Sequence, residues 1–193
     1  MAQKKRKKEN VEPLRSDKEI NEFLFFLRRT RHPERDVFLF KLGINTGLRM
    51  SDLVSLKVKD ITGTTTPKIR EQKTGKIRTL FLENLQQEIT TYIEGKEPDS
   101  WLFPSQQLDQ GHIKVNTVYQ CYQKVAQQLK RSDIGTHTIR KTFGYHYYRA
   151  TRDIATLMEI FNHASQQITK RYIGIREEEI GETFKYFKIG ADY

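Results

Sequence analysis

Residues 57–82, KVKDITGTTTPKIREQKTGKIRTLFL, differ from the rest of the chain and decide its fold class. Short β-branched or apolar runs are broken at Thr62-Gly63 and at Lys73-Thr74-Gly75, two sequences that are typical of tight turns. The apolar runs contain Val58, Ile61, Ile69, Ile77, Leu80 and Leu82. This pattern predicts two or three short antiparallel strands, with the last two joined by a tight turn.

On both sides of this segment, apolar residues recur at helical spacing. A capping box formed by Ser16 and Glu19 predicts the start of a first helix, and residues 37–44 predict a second, more buried one. Three later apolar stripes consist of Leu85, Ile89, Tyr92 and Ile93; of Val118, Cys121, Tyr122, Val125 and Leu129; and of Ile154, Leu157, Met158 and Phe161. We therefore predict a mainly α (α+β) fold, a helical bundle with a small two- to three-stranded antiparallel sheet.

The chain has 193 residues and a net charge of +10, from 34 Lys and Arg against 24 Asp and Glu. Half of this excess lies in one run near the start, Lys4, Lys5, Arg6, Lys7 and Lys8. Like charges this dense do not pack, so we predict a basic disordered arm over residues 1–15, a main domain over 16–175 and a C-terminal helix or tail over 176–193. The arm is interpreted as a phosphate-binding element, a solubilising tail or a nuclear localisation signal.

Several classes of protein are excluded by composition. The longest apolar run near the start, Phe23–Leu27, has five residues, which is far too short for a membrane span or a secretory signal. We therefore expect a cytoplasmic protein. The single cysteine, Cys121, excludes an internal disulfide, and no histidine pair has metal-ligand spacing, so we expect no metal site.

Three positions that contain candidate catalytic residues lie before residue 141. Arg49 follows Gly47 closely, and Asp52 lies three residues later as an orienting carboxylate or as a simple helix salt-bridge partner. Lys73 lies at the tip of the predicted hairpin, with Lys76 and Lys68 as alternatives. The third position is the stretch 136–140, THTIR. If this stretch is helical, His137 and Arg140 lie on the same face of the helix.

Two further positions follow in the same order along the chain. His163 lies in the stretch 161–165, FNHAS, just before a predicted helix, and Tyr172 follows two cations nine residues later. Together the six positions resemble the tyrosine recombinase (phage integrase) family, whose catalytic domain carries, in order, Arg, Lys, His-x-x-Arg, His or Trp, and Tyr. The resemblance covers residues 16–186. One departure is Asn162, where the family commonly has Gly.

The resemblance implies a catalytic role for each of these residues. Arg49 and Arg140 would hold the phosphate, while Tyr172 would attack it to form a 3′-phosphotyrosyl link. His137 would act as the base, Lys73 as the acid for the leaving 5′ oxygen, and His163 as a further hydrogen-bond donor. Neither a metal nor any other cofactor is expected.

The resemblance also implies association with the nucleoid of a bacterium or with a phage, and it implies partners. These are double-stranded DNA, further copies of the chain in a tetramer on DNA and, because the N-terminal helical domain usual in the family is not expected here, a larger recombinase or accessory protein. The aromatic C-terminal tail would dock on a neighbouring protomer or fold back on its own core. Two alternative functions remain at this stage: a type IB topoisomerase-like enzyme and a catalytically inactive DNA-binding regulator of the same fold.

Overall fold

The computed structural model describes residues 11–106, 111–185 and 187–190, and within them the chain forms nine α-helices and one short hairpin. The helices are α1 (Asp17–Leu27), α2 (Pro33–Thr46), α3 (Met50–Val54), α4 (Gln86–Ile93), α5 (Val115–Gln128), α6 (Thr138–Thr151), α7 (Ile154–Phe161), α8 (Gln166–Ile173) and α9 (Arg176–Phe184). The strands are β1 (Lys68–Arg70) and β2 (Ile77–Thr79). The predicted mainly α fold with a small sheet is confirmed.

The sheet consists of two antiparallel strands, with Lys68 opposite Thr79 and Ile69 opposite Arg78. The first apolar pair of the segment, Val58 and Ile61, does not form a strand. It lies in a turn of 3₁₀ helix, where the Asp60 carboxylate accepts the Lys57 backbone N–H at 2.7 Å. Both side chains are buried, because a spacing of three residues places them on one side of a tight helical turn.

The predicted capping box begins α1: the Ser16 hydroxyl accepts the Glu19 N–H, and the Glu19 carboxylate accepts the Ser16 N–H. Residues 11–15, which the sequence analysis assigned to the basic arm, pack on the domain and are here called the N-terminal strap. Leu14 is fully buried and its N–H donates to Thr142 Oγ1 at 2.9 Å, while Arg15 pairs with Glu178. Burial of Leu14 and these polar contacts hold the strap in place. Lys4, Lys5, Arg6, Lys7 and Lys8 lie outside the described residues.

Buried apolar side chains form two clusters. The larger one is centred on α1, α2 and α5, where Phe23 stacks on Phe40 and meets the edge of Tyr122. The smaller one joins α6, α7 and α8. The predicted stripes are confirmed as α4, α5 and α7, and Cys121 packs half-buried against the larger cluster, as expected from its place on a stripe.

One glycine lets the helices of the smaller cluster approach closely. A Cβ on Gly144 of α6 would lie 2.6 Å from Ile173 Cγ2 and 2.7 Å from the Phe161 ring. Tyr172 precedes Ile173 in α8, so the contact sets how far Tyr172 stands from the start of α6. Among the described residues, no helix has the length and apolar character needed to cross a membrane.

Candidate active site

Arg49 lies directly after the end of α2 and is held by a carboxylate from the hairpin. Gly47 ends α2 with φ +62°, which turns the chain so that Arg49 immediately precedes α3. Arg49 Nη1 donates to Glu71 Oε2 at 2.8 Å, whereas Asp52 Oδ2 lies 3.9 Å away. Asp52 instead accepts the Gln72 backbone N–H at 2.9 Å through Oδ1. The closest carboxylate to Arg49 is therefore Glu71, which the sequence analysis did not select.

Arg140 is buried in the first turn of α6 and donates to backbone carbonyls. Its Nη1 donates to Gly47 O at 2.6 Å and its Nη2 to Phe161 O at 3.2 Å. Burial lowers the pKa of Arg140 from its ordinary value, and the neighbouring Arg49 adds to this. The carbonyls at the C-terminal end of α2 carry partial negative charge, which stabilises a guanidinium at this position.

A third guanidinium, that of Arg78 on β2, reaches the same helix end. It donates to Thr46 O, and to Gly47 O at 3.4 Å, while Glu71 Oε1 lies 3.8 Å from its Nη1. Burial, together with the charge of Arg140, lowers the pKa of Arg78 to about 10. The sequence analysis missed this residue, because nothing local in a basic hairpin shows which cation points inwards. Arg49 and Arg78 thus contact the Glu71 carboxylate, and Arg78 and Arg140 contact the end of α2.

Tyr172 and His137 lie side by side, brought together by α8 and the start of α6. His137 Nδ1 and Tyr172 Oη are 3.2 Å apart, and the rings meet edge to face. Burial raises the pKa of Tyr172, although the charges of Arg140 and Arg49 oppose that rise. Burial and the neighbouring charges of Arg140 and Lys141 lower the pKa of His137. At neutral pH the pair is therefore a protonated phenol beside a neutral imidazole.

His163 completes this side of the cluster. Its Nδ1 lies 3.0 Å from Thr169 Oγ1, and its ring meets Tyr172 at 5.2 Å between centroids. Burial lowers the pKa of His163, and the charges of Arg140 and Arg49 act in the same direction. Asn162 ends α7 with φ +53°, in the left-handed conformation. Asparagine adopts this conformation more readily than most residues, so it takes the place of the more common glycine here.

Lys73 lies at the edge of the cluster, exposed on the turn of the hairpin. Its charge contributes to the lowered pKa of His137, which places the turn near the His137–Tyr172 pair. Lys76 instead donates to Asn162 Oδ1 at 2.5 Å, next to His163 in the chain. Within the residues that the structure describes, Lys73 makes no hydrogen bond or ion pair to protein, so its ammonium is available to a ligand.

The structure therefore brings Arg49, His137, Arg140, His163 and Tyr172 into one pocket, with Lys73 at its rim. Its charge is mainly positive and its buried donors are guanidiniums, an arrangement that suits a phosphodiester. In the described part of the chain, no group of three or more His, Cys, Asp and Glu side chains is placed to hold a metal ion.

Comparison with known proteins gives consistent matches. The model of the phage integrase family matches residues 14–179. The probable integrase/recombinase YoeC of Bacillus subtilis is 41% identical over 178 residues, which cover 92% of this chain and 97% of that protein. A tyrosine recombinase of Pseudothermotoga lettingae is 27% identical over 83% of this chain and 56% of its own length.

Solved structures show the same fold. XerH bound to a palindromic difH substrate in a post-cleavage complex has a TM-score of 0.67 at 22% identity, covering 89% of this chain and 51% of that chain. The catalytic domain of bacteriophage HP1 integrase has a TM-score of 0.62 at 19% identity, covering 91% and 95%. The family match extends over most of the chain and includes all six positions of the pocket and its rim. The chain belongs to the phage integrase family.

Proposed function

We propose that this protein is a site-specific DNA recombinase that breaks and rejoins strands through a 3′-phosphotyrosyl link to Tyr172. The observation that carries the proposal is the 3.2 Å approach of Tyr172 Oη to His137 Nδ1 beside Arg49 and Arg140. Membership of the phage integrase family and the 41% identity to a probable integrase/recombinase support it.

The arginines neutralise the charge of the phosphate, so that a nucleophile can approach it. A DNA phosphodiester is negatively charged and repels nucleophiles, and nucleophilic attack on phosphorus adds further negative charge to the non-bridging oxygens. Arg49 and Arg140 supply fixed guanidinium donors for that charge, already oriented by Glu71 and by Gly47 O. Donors that are oriented before the reaction stabilise the transition state without reorganising.

Proton transfer follows from the two pKa directions. Tyr172 Oη attacks phosphorus and forms a P–O bond as its proton passes to the neutral His137 imidazole. The bond from phosphorus to the 5′ oxygen breaks, and Lys73 protonates that oxygen. Rejoining reverses each transfer with the 5′ hydroxyl of a partner strand. Every proton and electron pair is accounted for by these side chains and the DNA.

The C-terminal segment supports a proposal of self-association on DNA. Helix α9 starts on its own domain, since Lys170 pairs with Glu179 at 2.7 Å. Beyond it, Phe184 and Phe187 remain 65% and 62% exposed, and Ile189 is 83% exposed. Exposed apolar side chains this dense are typical of an interaction surface. We propose that this surface contacts a neighbouring copy in a tetramer.

The basic arm is proposed to contact DNA phosphates close to the site of cleavage. It joins the described structure at Val11, whose carbonyl accepts Lys141 Nζ at 2.5 Å. Lys141 Nζ in turn lies 5.4 Å from the centre of the Tyr172 ring. The chain spans about half the length of some recombinases that it matches and 97% of YoeC. We also propose a larger recombinase or accessory protein as a partner, and we place the reaction at the DNA of the nucleoid.

The nucleophile gives the decisive test. With a nicked site that traps the intermediate, the unaltered protein should form an adduct that survives detergent, with the DNA mapping to Tyr172. Tyr172→Phe should bind DNA about equally and form no adduct, because only the hydroxyl is removed. Adduct formation by the Phe variant would exclude Tyr172 as nucleophile. Relaxation of plasmids without a specific site would favour a topoisomerase, and binding with no adduct at all a regulator.

A further inference from the structure

Two carboxylates connect the hairpin to α3: one belongs to α3 and binds the hairpin, and the other belongs to the hairpin and binds the start of α3. Asp52, in α3, accepts the backbone N–H of Gln72 on the hairpin at 2.9 Å. Glu71, on the hairpin, accepts Arg49 Nη1 from the start of α3 at 2.8 Å. The residue that follows this double contact is Lys73. The position of the lysine turn is therefore tied to that of Arg49.

Glu71 also fixes the turn itself. Its Oε2 accepts Thr74 Oγ1 at 2.8 Å, and Thr74 Oγ1 accepts the Lys76 N–H at 3.3 Å. The Glu71 N–H donates to Lys76 O at 2.9 Å, and Glu71 O accepts the Gly75 N–H at 2.8 Å. One carboxylate oxygen thus connects the phosphate-facing arginine to the residue after Lys73.

Burial and charge distinguish Glu71 from a surface ion-pair partner. It is 3% exposed and lies among the guanidiniums of Arg49 and Arg78. Burial alone would raise the pKa of Glu71, but the hydrogen bonds from Thr74 and Arg49 outweigh it and lower that pKa. Within the described residues, Arg49 donates to protein only through Nη1, so Nε and Nη2 remain for a phosphate.

We propose that Glu71 is a positioning residue that holds Arg49 and the Lys73 turn in one fixed relation, so that the phosphate and the leaving oxygen are presented together. This inference rests on the proposed function, because it assigns Glu71 a part in that reaction. Glu71 would touch neither the DNA nor the reacting atoms. Its effect would pass through Arg49 on one side and through Thr74 on the other.

The test compares cleavage rates in a single turnover. Misplacing a reactive group by about 1 Å can cost 10²-fold, so Glu71→Ala should cleave about 100-fold more slowly, with DNA affinity within about threefold. Glu71→Gln, which keeps an oxygen acceptor, should lose about tenfold. The matched control is Glu88→Gln, which removes a carboxylate that is paired with Lys41 at 3.1 Å and, within the described residues, makes no contact with the hairpin or Arg49; it should cleave at the normal rate.

A substrate with sulfur in place of the bridging 5′ oxygen separates the two branches, because a thiolate leaves without an acid. Thr74→Val cuts only the turn branch, so sulfur should restore its rate almost fully. Glu71→Ala should recover only in part, because Arg49 stays displaced. Glu71→Ala and Lys73→Ala combined should lose at least tenfold less than the product of the single losses.

Other outcomes would overturn the inference. Equal losses on the oxygen and sulfur substrates would indicate a general structural defect, and independent losses in the double variant would show that the two residues act separately. If Glu71→Ala does not fold, Glu71→Gln and Thr74→Val carry the same comparison. Failure of the proposed function looks different, because the unaltered protein would then form no Tyr172 adduct. Failure of this inference leaves that adduct in place and shows either a fully active Glu71→Ala or one of the two patterns of loss just described.

Discussion

His137 and Tyr172 lie within hydrogen-bonding distance, and their pKa values are shifted in opposite directions. The pKa of His137 is lowered by burial and nearby cations, so the imidazole stays neutral, and able to accept a proton, to a pH below its ordinary 6.5. The pKa of Tyr172 is raised by burial, so the phenol does not ionise without help. Cleavage by the free enzyme should therefore depend on the neutral form of His137.

This dependence can be measured in the pH profile. At limiting enzyme, the second-order cleavage rate should fall on the acid side with a midpoint below 6.5, since protonated His137 cannot act as a base. His137→Gln should lose that acid limb and about 10²–10⁴ in rate. His32→Gln, at the far end of α2, should keep both. An unchanged limb in His137→Gln would assign the base to another group.

Lys73 and Lys76 are separated by leaving-group chemistry. An acid at the 5′ oxygen is worth roughly 10²–10⁴ in rate, so Lys73→Ala should lose about that much cleavage while binding DNA normally. Sulfur at the bridging position should restore most of that rate, whereas Arg140→Ala should not recover. Rescue of Lys76→Ala in its place would mean that the contact between Lys76 and Asn162 opens on DNA.

For single residues, the sequence predicts the members of the candidate site where a short local motif marks them. Arg49, His137, Arg140 and Tyr172 lie in short motifs that the order along the chain makes recognisable. Glu71 and Arg78 escaped notice, because their importance arises from contacts with residues more than 20 positions away. A weak signal was present: Glu71 is the single acid in residues 68–78, among five cations.

At the scale of elements, the end of α2 organises the pocket. Gly47 stops the helix, exposes its last carbonyls to Arg140 and Arg78, and turns the chain towards Arg49. A Cβ at this glycine would lie 2.3 Å from the Phe143 ring. The position therefore requires glycine both for its left-handed backbone and for the close approach of α6.

Gly47→Ala should destabilise the fold and disturb Arg140. A left-handed non-glycine residue costs roughly 1–2 kcal/mol, and overpacking adds typically 1–3 kcal/mol. Gly63→Ala is the matched control, since Gly63 also has positive φ, at +78°, but has nothing within 4 Å of the added Cβ. The difference between the two free energies of unfolding, from denaturant titration, measures the clash with Phe143. Equal destabilisation would show that α6 moves away freely.

Helices were predictable where apolar residues repeat over several turns, and secondary structure was less predictable where only one interval between apolar residues is available. The helices follow from stripes that repeat over two or more turns, such as the one in α5. Val58 and Ile61 offered only one interval, of three residues, which fits one turn of 3₁₀ helix as well as the edge of a strand pattern. The contact of the Asp60 carboxylate with the Lys57 N–H decided between them.

At the scale of the whole molecule, we expect substitutions in the exposed C-terminal tail to change assembly on DNA without changing the stability of the fold. Changing Phe184 and Phe187 together to Ser should leave thermal unfolding nearly unchanged, because surface substitutions usually stay within about 0.5 kcal/mol. The same change should reduce multi-protomer complexes on DNA, resolved by gel mobility. Phe81→Ser, at a 77% exposed phenylalanine outside the tail, is the control. Unaltered assembly in the double variant would leave the tail without a partner role.

The N-terminal strap has a practical consequence for anything attached in front of it. Val11 O lies within about 8 Å of the Tyr172 ring, through the Lys141 ammonium. A tether leaving this point can extend at most ~3.3–3.6 Å per residue, so ten residues search a radius of roughly 35 Å. Each residue of spacer lets a bulky fluorescent or affinity fusion stand further from the pocket, so a fusion joined directly at Val11 would compete with DNA for space beside Tyr172, whereas one behind a ten-residue spacer could stay clear of it.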